Sequence, residues 1–342
     1  MSGKFSVGDR IVAWGDPGNI TKIAGKSAMI EFDDRDTGTI KLSDSALRKA
    51  GPLFQRLERY YQRNGISPTT FKRFGCPYKK DCVSCATSSS RFVCGREALV
   101  TSGYEGHALP RLLFLSADSG SSDENSGRKA VGTGEWEERE CVPGEIPRPR
   151  HWREVHEIAR WVLRCFRREL TLDETRHFIA HTNSAKCCVN NRDSRQAPQR
   201  LFDNCRRFIG PELTKLAPDL LVTQGEPAER AIEEHFTVLR KKYLTQRSTA
   251  AGSRAKWYRA EIRMDRRRVL WLRTPHPGMR KMRKAAGGGK VQAGKLAAKE
   301  LDRMYKRCFD EVLRWKRNGG SGLAVRPRVL ARIAAKDRCP VS

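Results

Sequence analysis

The sequence contains no long apolar segment. Its 342 residues include no uninterrupted run of 18 apolar residues, and a membrane-spanning helix needs about that length. The first ten residues, MSGKFSVGDR, lack the apolar core of a secretory signal peptide. We therefore predict a soluble protein that stays in the cytoplasm and has no membrane partner. We also predict a monomer.

Acidic residues are scarce relative to basic ones. The chain has 39 Asp and Glu residues against 67 Lys and Arg residues, which gives a formal net charge of +28. Basic segments such as RMDRRRVLWLR and RKMRKAAGGGK occur along much of the chain. A surface with this excess attracts polyanions, and the phosphate backbone of nucleic acid is the most common one. We predict DNA as the partner; a basic surface that is only solvated is the alternative.

Cysteine, by contrast, is plentiful, with eleven residues. Disulfides are rare in a reducing compartment, so clustered cysteines there predict metal or redox chemistry. Two clusters stand out: Cys76, Cys82, Cys85 and Cys94 in the first, and Cys187, Cys188 and Cys205 in the second. The C-x2-C spacing of Cys82 and Cys85 is typical of metal ligands.

The sequence divides into three parts. Residues 1–50 contain short β-type segments separated by turn sequences such as GDPG and DRDTG, and this pattern predicts a small SH3-like or Tudor-like barrel. Such barrels bind nucleic acid or protein partners, or serve as scaffolds. Residues 51–317 alternate strands with helices, which predicts a three-layer α/β/α domain around a mostly parallel sheet. Residues 318–342 predict a flexible basic tail.

Unusual residues follow four of the predicted strands. The segments RLLFLS, RHFIAHTN, PDLLVTQG and RRRVLWLR are followed or ended by SADSG, NSAKCC, QGEP and TPHPG. In open α/β sheets, ligands bind at the carboxyl ends of the strands. These four loops are therefore the predicted functional site.

Taken together, these loops resemble the motifs of the uracil-DNA glycosylase superfamily, and most closely its iron–sulfur branch. The resemblance covers roughly residues 76–310 and leaves the predicted barrel outside it. No single motif is specific, but their order along the chain matches. The corresponding segments are SADSG (116–120), GRKAVG (127–132), NSAKC (183–187), Cys205, Gly225 and HPG (276–278). The resemblance implies a DNA glycosylase, which flips a nucleotide out of the stack and cleaves the bond between sugar and base.

The resemblance also implies a four-iron, four-sulfur (4Fe–4S) cluster. Thiolates are soft, strongly donating ligands that suit iron, and four of them also suit zinc, which is the alternative cofactor. The implied ligands are Cys82, Cys85, Cys187 and Cys205. Cys76 or Cys94 could replace one of the first two, and Cys188 has no assigned role.

Three residues are the candidates for catalysis. Asp118 stands at the third position of the first motif, where a carboxylate would stabilise the oxocarbenium-like sugar and align water; a turn-capping role is the alternative. Asp123 and Glu124 are weaker candidates in the same loop. By resemblance, Asn183 would hydrogen-bond the flipped base, the alternative being a turn residue. His276 would face the leaving base.

Other residues are implied to surround the base and the DNA. The implied base pocket contains Ala117, Ser119, Gly120, Ala130 and Trp136. The implied DNA contacts are Met279 and Arg280 in the wedging loop, with Lys281, Arg283 and Lys284 on phosphates.

Two departures from the family pattern bear on the substrate. Ala130 stands where the family has a phenylalanine that stacks on uracil, and Ala117 stands where the branch more often has glutamate. A missing stacking ring forfeits roughly 1–3 kcal/mol and leaves space. The insert TGEWEERECVPGEIPRPR after Gly132 brings polar groups, and Trp136 within it could replace the lost ring. We predict a bulky modified pyrimidine, such as the hypermodified bases of phage DNA, and a role in defence.

Three other functions remain open from the sequence. The first is an ordinary uracil-DNA glycosylase in base excision repair. A second is a non-catalytic nucleic-acid-binding protein on the same fold, which Ala117 and Ala130 favour. The third is a zinc-stabilised chromatin or RNA-binding factor built around the barrel, which explains the charge but not the alternating strands.

Overall fold

A computed structural model describes most of the chain. No helix within the described residues is both long and apolar enough to cross a membrane. The described residues are 10–13, 16–24, 27–32, 37–41, 47–49, 51–66, 74–86, 92, 98–118, 150–189, 197–244, 257–274 and 292–318.

The N-terminal strands form one antiparallel sheet of five strands in the order β4-β3-β2-β1-β5. The strands are β1 (Arg10–Ala13), β2 (Asp16–Ala24), β3 (Ser27–Phe32), β4 (Thr37–Lys41) and β5 (Leu47–Lys49). Ile20 and Ile30 face each other across β2 and β3 and are almost fully buried, whereas the adjacent Met29 is 42% exposed. This alternation is typical of a sheet with one covered face. The predicted strands are present; closure into a barrel remains a prediction.

Helices and a second sheet make up the remainder. The helices are α1 (Pro52–Arg63), α2 (Lys79–Ser84), α3 (Ser102–Glu105), α4 (Arg150–Leu163), α5 (Leu172–Thr175), α6 (Gln199–Leu216), α7 (Glu226–His235) and α8 (Gln292–Arg317). A 3₁₀ turn at Arg176–Phe178 leads into one of the strands. The strands are β6 (Leu99–Val100), β7 (Leu112–Ser116), β8 (Ile179–Asn183), β9 (Leu220–Gln224), β10 (Thr237–Tyr243), β11 (Tyr258–Met264) and β12 (Arg267–Thr274).

The seven-stranded sheet is mixed, in the order β10-β11-β12-β9-β7-β8-β6. The pairings β7–β9 and β9–β12 are parallel, and every residue of β7, β8 and β9 is buried. Buried apolar runs of this kind are typical of parallel strands covered on both faces. The pairings β12–β11 and β11–β10 are antiparallel, so the predicted α/β class is confirmed but the sheet is less parallel than predicted.

The chain divides into two compact units. The first unit comprises residues 1–99, 118–143 and 183–215, and the second comprises residues 100–117, 144–182 and 216–342. In the second unit, Trp271 is fully buried. Its indole Nε1 donates a hydrogen bond to Thr223 Oγ1 at 2.8 Å, and its ring meets that of Tyr258 edge-on with centroids 5.1 Å apart. A buried indole that keeps its hydrogen bond adds packing area without a desolvation penalty.

Candidate active site and thiol group

The predicted site residues lie partly inside the described ranges. Among the catalytic candidates, Asp118 and Asn183 are described and His276 is not. Ala117 is described. The other predicted pocket, DNA-contact, acid and thiol residues lie outside the described residues: Ser119, Gly120, Asp123, Glu124, Ala130, Trp136, Met279, Arg280, Lys281, Arg283, Lys284 and Cys94. The predictions for these positions remain predictions.

Ala117 and Asp118 follow a strand that is buried along its whole length. All five residues of β7 are buried, whereas Ala117 and Asp118 are partly exposed. The strand is therefore followed, two residues after its end, by a partly exposed acidic residue. Such a group can accept a proton from a water molecule, as the predicted role of Asp118 requires.

Asn183, the last residue of β8, is buried but not fully paired. The residue is 8% exposed, and its side-chain Oδ1 has no hydrogen-bond partner among the described residues. An amide oxygen that is shielded from water and unpaired costs about 1–3 kcal/mol. A ligand with an N–H donor would remove this cost, so Asn183 is suited to reading a base edge.

Three buried thiols form a hydrogen-bonded chain in the first unit. Cys82 on α2, Cys187 after β8 and Cys205 on α6 are each at most 2% exposed. Cys187 is the middle member and hydrogen-bonds to both of the others. The pKa of Cys187 is raised by its bonds to Cys205 and Cys82. Its bond to Cys82 lowers the pKa of that thiol to about 7, and its bond to Cys205 lowers that pKa also.

Two of these sulfurs also accept N–H donors. Asn204 Nδ2 lies 3.4 Å from Cys82 Sγ, and the backbone N–H of Lys186 lies with its nitrogen 3.2 Å from Cys205 Sγ. Hydrogen bonds donated to sulfur stabilise the charged thiolate form. These donors therefore favour the thiolate form at Cys82 and Cys205.

Cys76 and Cys85 differ in how they relate to the chain of three thiols. Cys76 is 9% exposed, accepts a backbone hydrogen bond from Tyr78, and interacts electrostatically with both Cys205 and Cys82. Burial raises the pKa of Cys76 to about 11. Cys85 is partly exposed, and its Sγ lies 3.5 Å from the backbone oxygen of Asp81. Cys85 interacts with one thiol of the chain, Cys82, whereas Cys76 interacts with two of them.

The donor set suits a metal, although the sulfurs do not surround one point. Within the described ranges, no group of three or more His, Cys, Asp or Glu side chains is arranged to hold a metal ion. Cys187 instead hydrogen-bonds to Cys82 and to Cys205 one by one. Four buried cysteines with neighbouring N–H donors are nevertheless the ligands that iron–sulfur clusters and zinc prefer. The residues therefore fit the implied cofactor in chemical type.

A buried ion pair beside the thiols was not predicted. Lys186 Nζ lies 2.5 Å from Glu212 Oε2, and both side chains are at most 2% exposed. The Tyr61 hydroxyl donates to Glu212 Oε1 at 2.5 Å and accepts the backbone N–H of Ala98 at 3.1 Å. The positive charge of Lys186 also helps to lower the pKa of Cys205, after the hydrogen bonds from Cys187 and from the Lys186 backbone. The sequence signal was Lys186 itself, within NSAKCC, and Glu212 in an apolar part of α6.

The second unit contains the predicted junction between strand, glycine and helix. β9 ends at Gln224, Gly225 has φ +98°, and α7 begins at Glu226. The Gly225 N–H donates to the backbone oxygen of Thr274, at the end of β12, over 3.3 Å. Residues with a Cβ rarely adopt this φ, so the junction explains why glycine stands here.

Comparison with known proteins leaves the function to be inferred from these residues. The sequence matches no protein-family model and no curated protein. The features that bear on function are therefore the partly exposed Asp118, the unpaired amide oxygen of Asn183 and the buried thiols.

Proposed function

We propose that this chain is a DNA glycosylase that flips out a non-standard pyrimidine and hydrolyses its N-glycosidic bond, leaving an abasic site. The observation that carries this proposal is the buried, unpaired Oδ1 of Asn183 at the end of β8. A pyrimidine edge carries N–H donors that can reach such an oxygen: the ring N3–H of uracil or the exocyclic amine of cytosine. The amide thereby selects a base that has left the stack.

Asp118 supplies the chemistry of bond cleavage in this proposal. The C1′–N bond breaks and its electron pair leaves with the base, while positive charge develops on the sugar. A partly exposed carboxylate stabilises that charge and accepts one proton from the attacking water, whose oxygen bonds to C1′. A second proton reaches the departing base, for which His276 is the proposed donor. The products are the free base and an abasic site.

The charge of the chain supports DNA as the partner. An excess of 28 positive charges strengthens binding to the phosphate backbone and makes it depend on salt. The described β10 and α8 contribute to it: β10 has the sequence TVLRKKY and α8 carries Arg314, Lys316 and Arg317 in its last turn. Non-specific attraction of this kind positions the protein, and Asn183 then supplies the selectivity.

The thiol group is proposed to hold a 4Fe–4S cluster. When bound, the cluster would crosslink α2, the loop after β8 and α6 through iron–sulfur bonds and so stabilise the first unit. We assign Cys82, Cys187 and Cys205 as three ligands, since Cys187 hydrogen-bonds to both of the other two. Cys76 is the proposed fourth ligand in preference to Cys85, because it is buried and interacts with two of the three.

Metal analysis of serine variants tests this assignment. Protein purified without oxygen is measured for iron, sulfide, zinc and visible absorbance. Cys187→Ser and Cys76→Ser are expected to lose most of the iron, whereas Cys85→Ser is the matched control and keeps it. Retention of iron by Cys76→Ser together with loss by Cys85→Ser would reverse the choice. If the wild-type protein contains zinc and no sulfide, the proposed iron–sulfur cluster is wrong and the thiols bind zinc instead.

The preferred substrate is proposed to be a bulky modified pyrimidine, such as those of phage DNA. Ala130 replaces the aromatic ring that stacks on uracil in the resembled family, and a polar insert follows Gly132. A pocket without the ring gives less stacking energy to plain uracil and leaves more space for a substituent. The N-terminal sheet is proposed to be an SH3-like barrel that helps to bind DNA, and the larger sheet the centre of a three-layer domain.

Measuring released bases tests the function directly. The protein is incubated with uracil-containing DNA and with phage DNAs that carry modified pyrimidines; released bases are identified by mass spectrometry and abasic sites are cleaved with alkali. Release from modified DNA is expected to exceed release of uracil. Efficient uracil release with no activity on modified DNA would identify an ordinary uracil-DNA glycosylase.

Two variants separate catalysis from binding. Asp118→Asn is expected to lower the rate of base release by about 10²-fold or more with little change in DNA affinity. Asn183→Ala is expected to lower the preference for the substrate base over normal bases. If both variants retain every nucleic-acid-dependent activity of the wild type, the chain is a non-catalytic binding protein.

A further inference from the structure

A second buried amide lies at the end of β9, within the second unit. Gln224 is the last residue of this strand and is fully buried. Its Oε1 accepts a hydrogen bond from the Ser116 hydroxyl at 2.9 Å. Ser116 Oγ also lies 2.8 Å from His181 Nε2. Ser116 is 1% exposed and His181 is 5% exposed, so the network is closed off from water.

The placement of the Gln224 oxygen beside Ser116 sets the direction of these bonds. An amide oxygen can only accept, so the single hydroxyl proton of Ser116 is directed to Gln224. Ser116 Oγ then accepts from His181, which must carry a proton on Nε2. The chain of donors runs from His181 through Ser116 to the oxygen of Gln224. Turning the Gln224 amide over would also require the Ser116 hydroxyl and the His181 tautomer to reverse.

The amide nitrogen of Gln224 is the end of this chain and is unpaired. Gln224 Nε2 is buried and has no hydrogen-bond partner among the described residues. A folded protein rarely keeps a buried donor unpaired, and a bound ligand is one of the explanations for such a group. Because Gln224 ends a parallel strand of the sheet, its amide lies at the edge where ligands bind in open α/β sheets.

We propose that Gln224 Nε2 donates a hydrogen bond to an acceptor of the flipped pyrimidine, a ring carbonyl oxygen, and that Ser116 and His181 are positioning residues that hold the amide in that orientation. This inference rests on the proposed glycosylase function and deepens it by adding a residue that selects the base. A fully enclosed donor suits a base that is itself removed from water. A site built to donate discriminates strongly against ligands without an acceptor, because the buried donor would remain unpaired.

Binding of DNA that cannot be hydrolysed tests the proposal without requiring turnover. Oligonucleotides carry one 2′-fluorinated target nucleotide, either deoxyuridine or 5-hydroxymethyldeoxycytidine, in place of a normal pyrimidine. Fluorescence anisotropy gives the ratio of Kd for the normal oligonucleotide to Kd for the target oligonucleotide. This selectivity ratio cancels the non-specific attraction to phosphate, which both oligonucleotides share.

Gln224→Glu is the decisive variant, because it keeps an oxygen for the Ser116 hydroxyl and removes the N–H donors. The selectivity ratio is expected to fall about 10- to 100-fold. Ser116→Ala is expected to lower it less, since the amide remains but is free to turn. Thr223→Val is the matched control: it removes a buried hydrogen bond of the same strand, to Trp271, and should lower stability while the ratio stays unchanged.

Several outcomes would overturn the proposal. A ratio within twofold of wild type for Gln224→Glu would show that the donors are not used, or that the amide has the opposite orientation. A wild-type ratio of one for both targets would show that no base reaches Gln224. The proposed function fails separately: if no DNA releases a base but Gln224→Glu still lowers the ratio, Gln224 selects bases in a protein that does not cleave them. If Asn183→Ala lowers base release but Gln224→Glu leaves the selectivity ratio unchanged, the proposed glycosylase function is kept and the role of Gln224 is rejected.

Discussion

Replacing Lys186 with methionine removes the positive partner of a carboxylate that has no access to water. Glu212 is 0% exposed, and after the substitution its Oε1 keeps the Tyr61 hydroxyl while its Oε2 loses the ammonium group at 2.5 Å. Breaking a buried pair by removing one partner costs about 3–5 kcal/mol, because the other charge is left uncompensated. That is a large part of the 5–15 kcal/mol by which a typical domain is stable.

Urea unfolding followed by circular dichroism at 222 nm measures this cost. Lys186→Met alone is expected to lower the free energy of unfolding by about 3–5 kcal/mol. In the double variant Lys186→Met with Glu212→Gln, the amide still accepts from Tyr61 and no buried charge remains. The loss of unfolding free energy in the double variant should therefore be smaller than the sum of the two single losses by about 2 kcal/mol or more.

A matched exposed pair provides the control for side-chain loss. On α7, Arg230 Nη2 lies 2.5 Å from Glu226 Oε1, and the two side chains are 52% and 51% exposed. Arg230→Met is expected to change the free energy of unfolding by less than about 1 kcal/mol, as is typical of surface pairs. If Lys186→Met costs no more than Arg230→Met, Glu212 is not an uncompensated charge in the variant and the reasoning is refuted.

Two further predictions concern the second unit. His156 on α4 is 2% exposed, and burial, followed by the charge of Arg176, lowers its pKa from 6.5 to about 4. Stability is therefore complete above pH 6.5 and falls by about 3 kcal/mol as the pH drops towards 4; His156→Gln should remove this part of the pH dependence of urea unfolding. Gly225→Ala places a Cβ at φ +98° and should lower the free energy of unfolding by about 1–3 kcal/mol, seen as a lower Tm.

Sequence patterns predicted the larger elements well because burial leaves a strong signal. The runs LLFLS, IAHTN and LLVTQ are strands β7, β8 and β9, as their apolar character between polar loops indicated. The edge strand β10 and its neighbour β11 were not predicted. Most of β10 is exposed and its sequence TVLRKKY reads as a charged surface segment; its strand structure depends on pairing with β11, which no local pattern reveals.

The sequence indicated which residue types belong to the candidate site more readily than which of them contact one another. Cys82, Cys187 and Cys205 were grouped by resemblance, and their mutual contacts depend on how α2 and α6 pack. The C-x2-C spacing favoured Cys85 as a ligand, and the proposal of Cys76 in its place rests on the burial of Cys76, which the sequence does not reveal. Glu212 was missed for a similar reason. A single acidic residue in an apolar helix segment does not reveal a buried ion pair until its partner, Lys186, is known.

The positions of the thiols along the chain also set an order of events during synthesis. Cys82 leaves the ribosome more than one hundred residues before Cys187 and Cys205, yet its sulfur hydrogen-bonds to Cys187. During translation at about 5–20 residues per second, the early cysteines must wait several seconds as free thiols, open to stray metals and oxidants. The nascent chain is therefore most exposed to thiol oxidation and unintended metal binding before α6 has been synthesised. Only the completed first unit can bury the sulfurs of Cys82, Cys187 and Cys205 together.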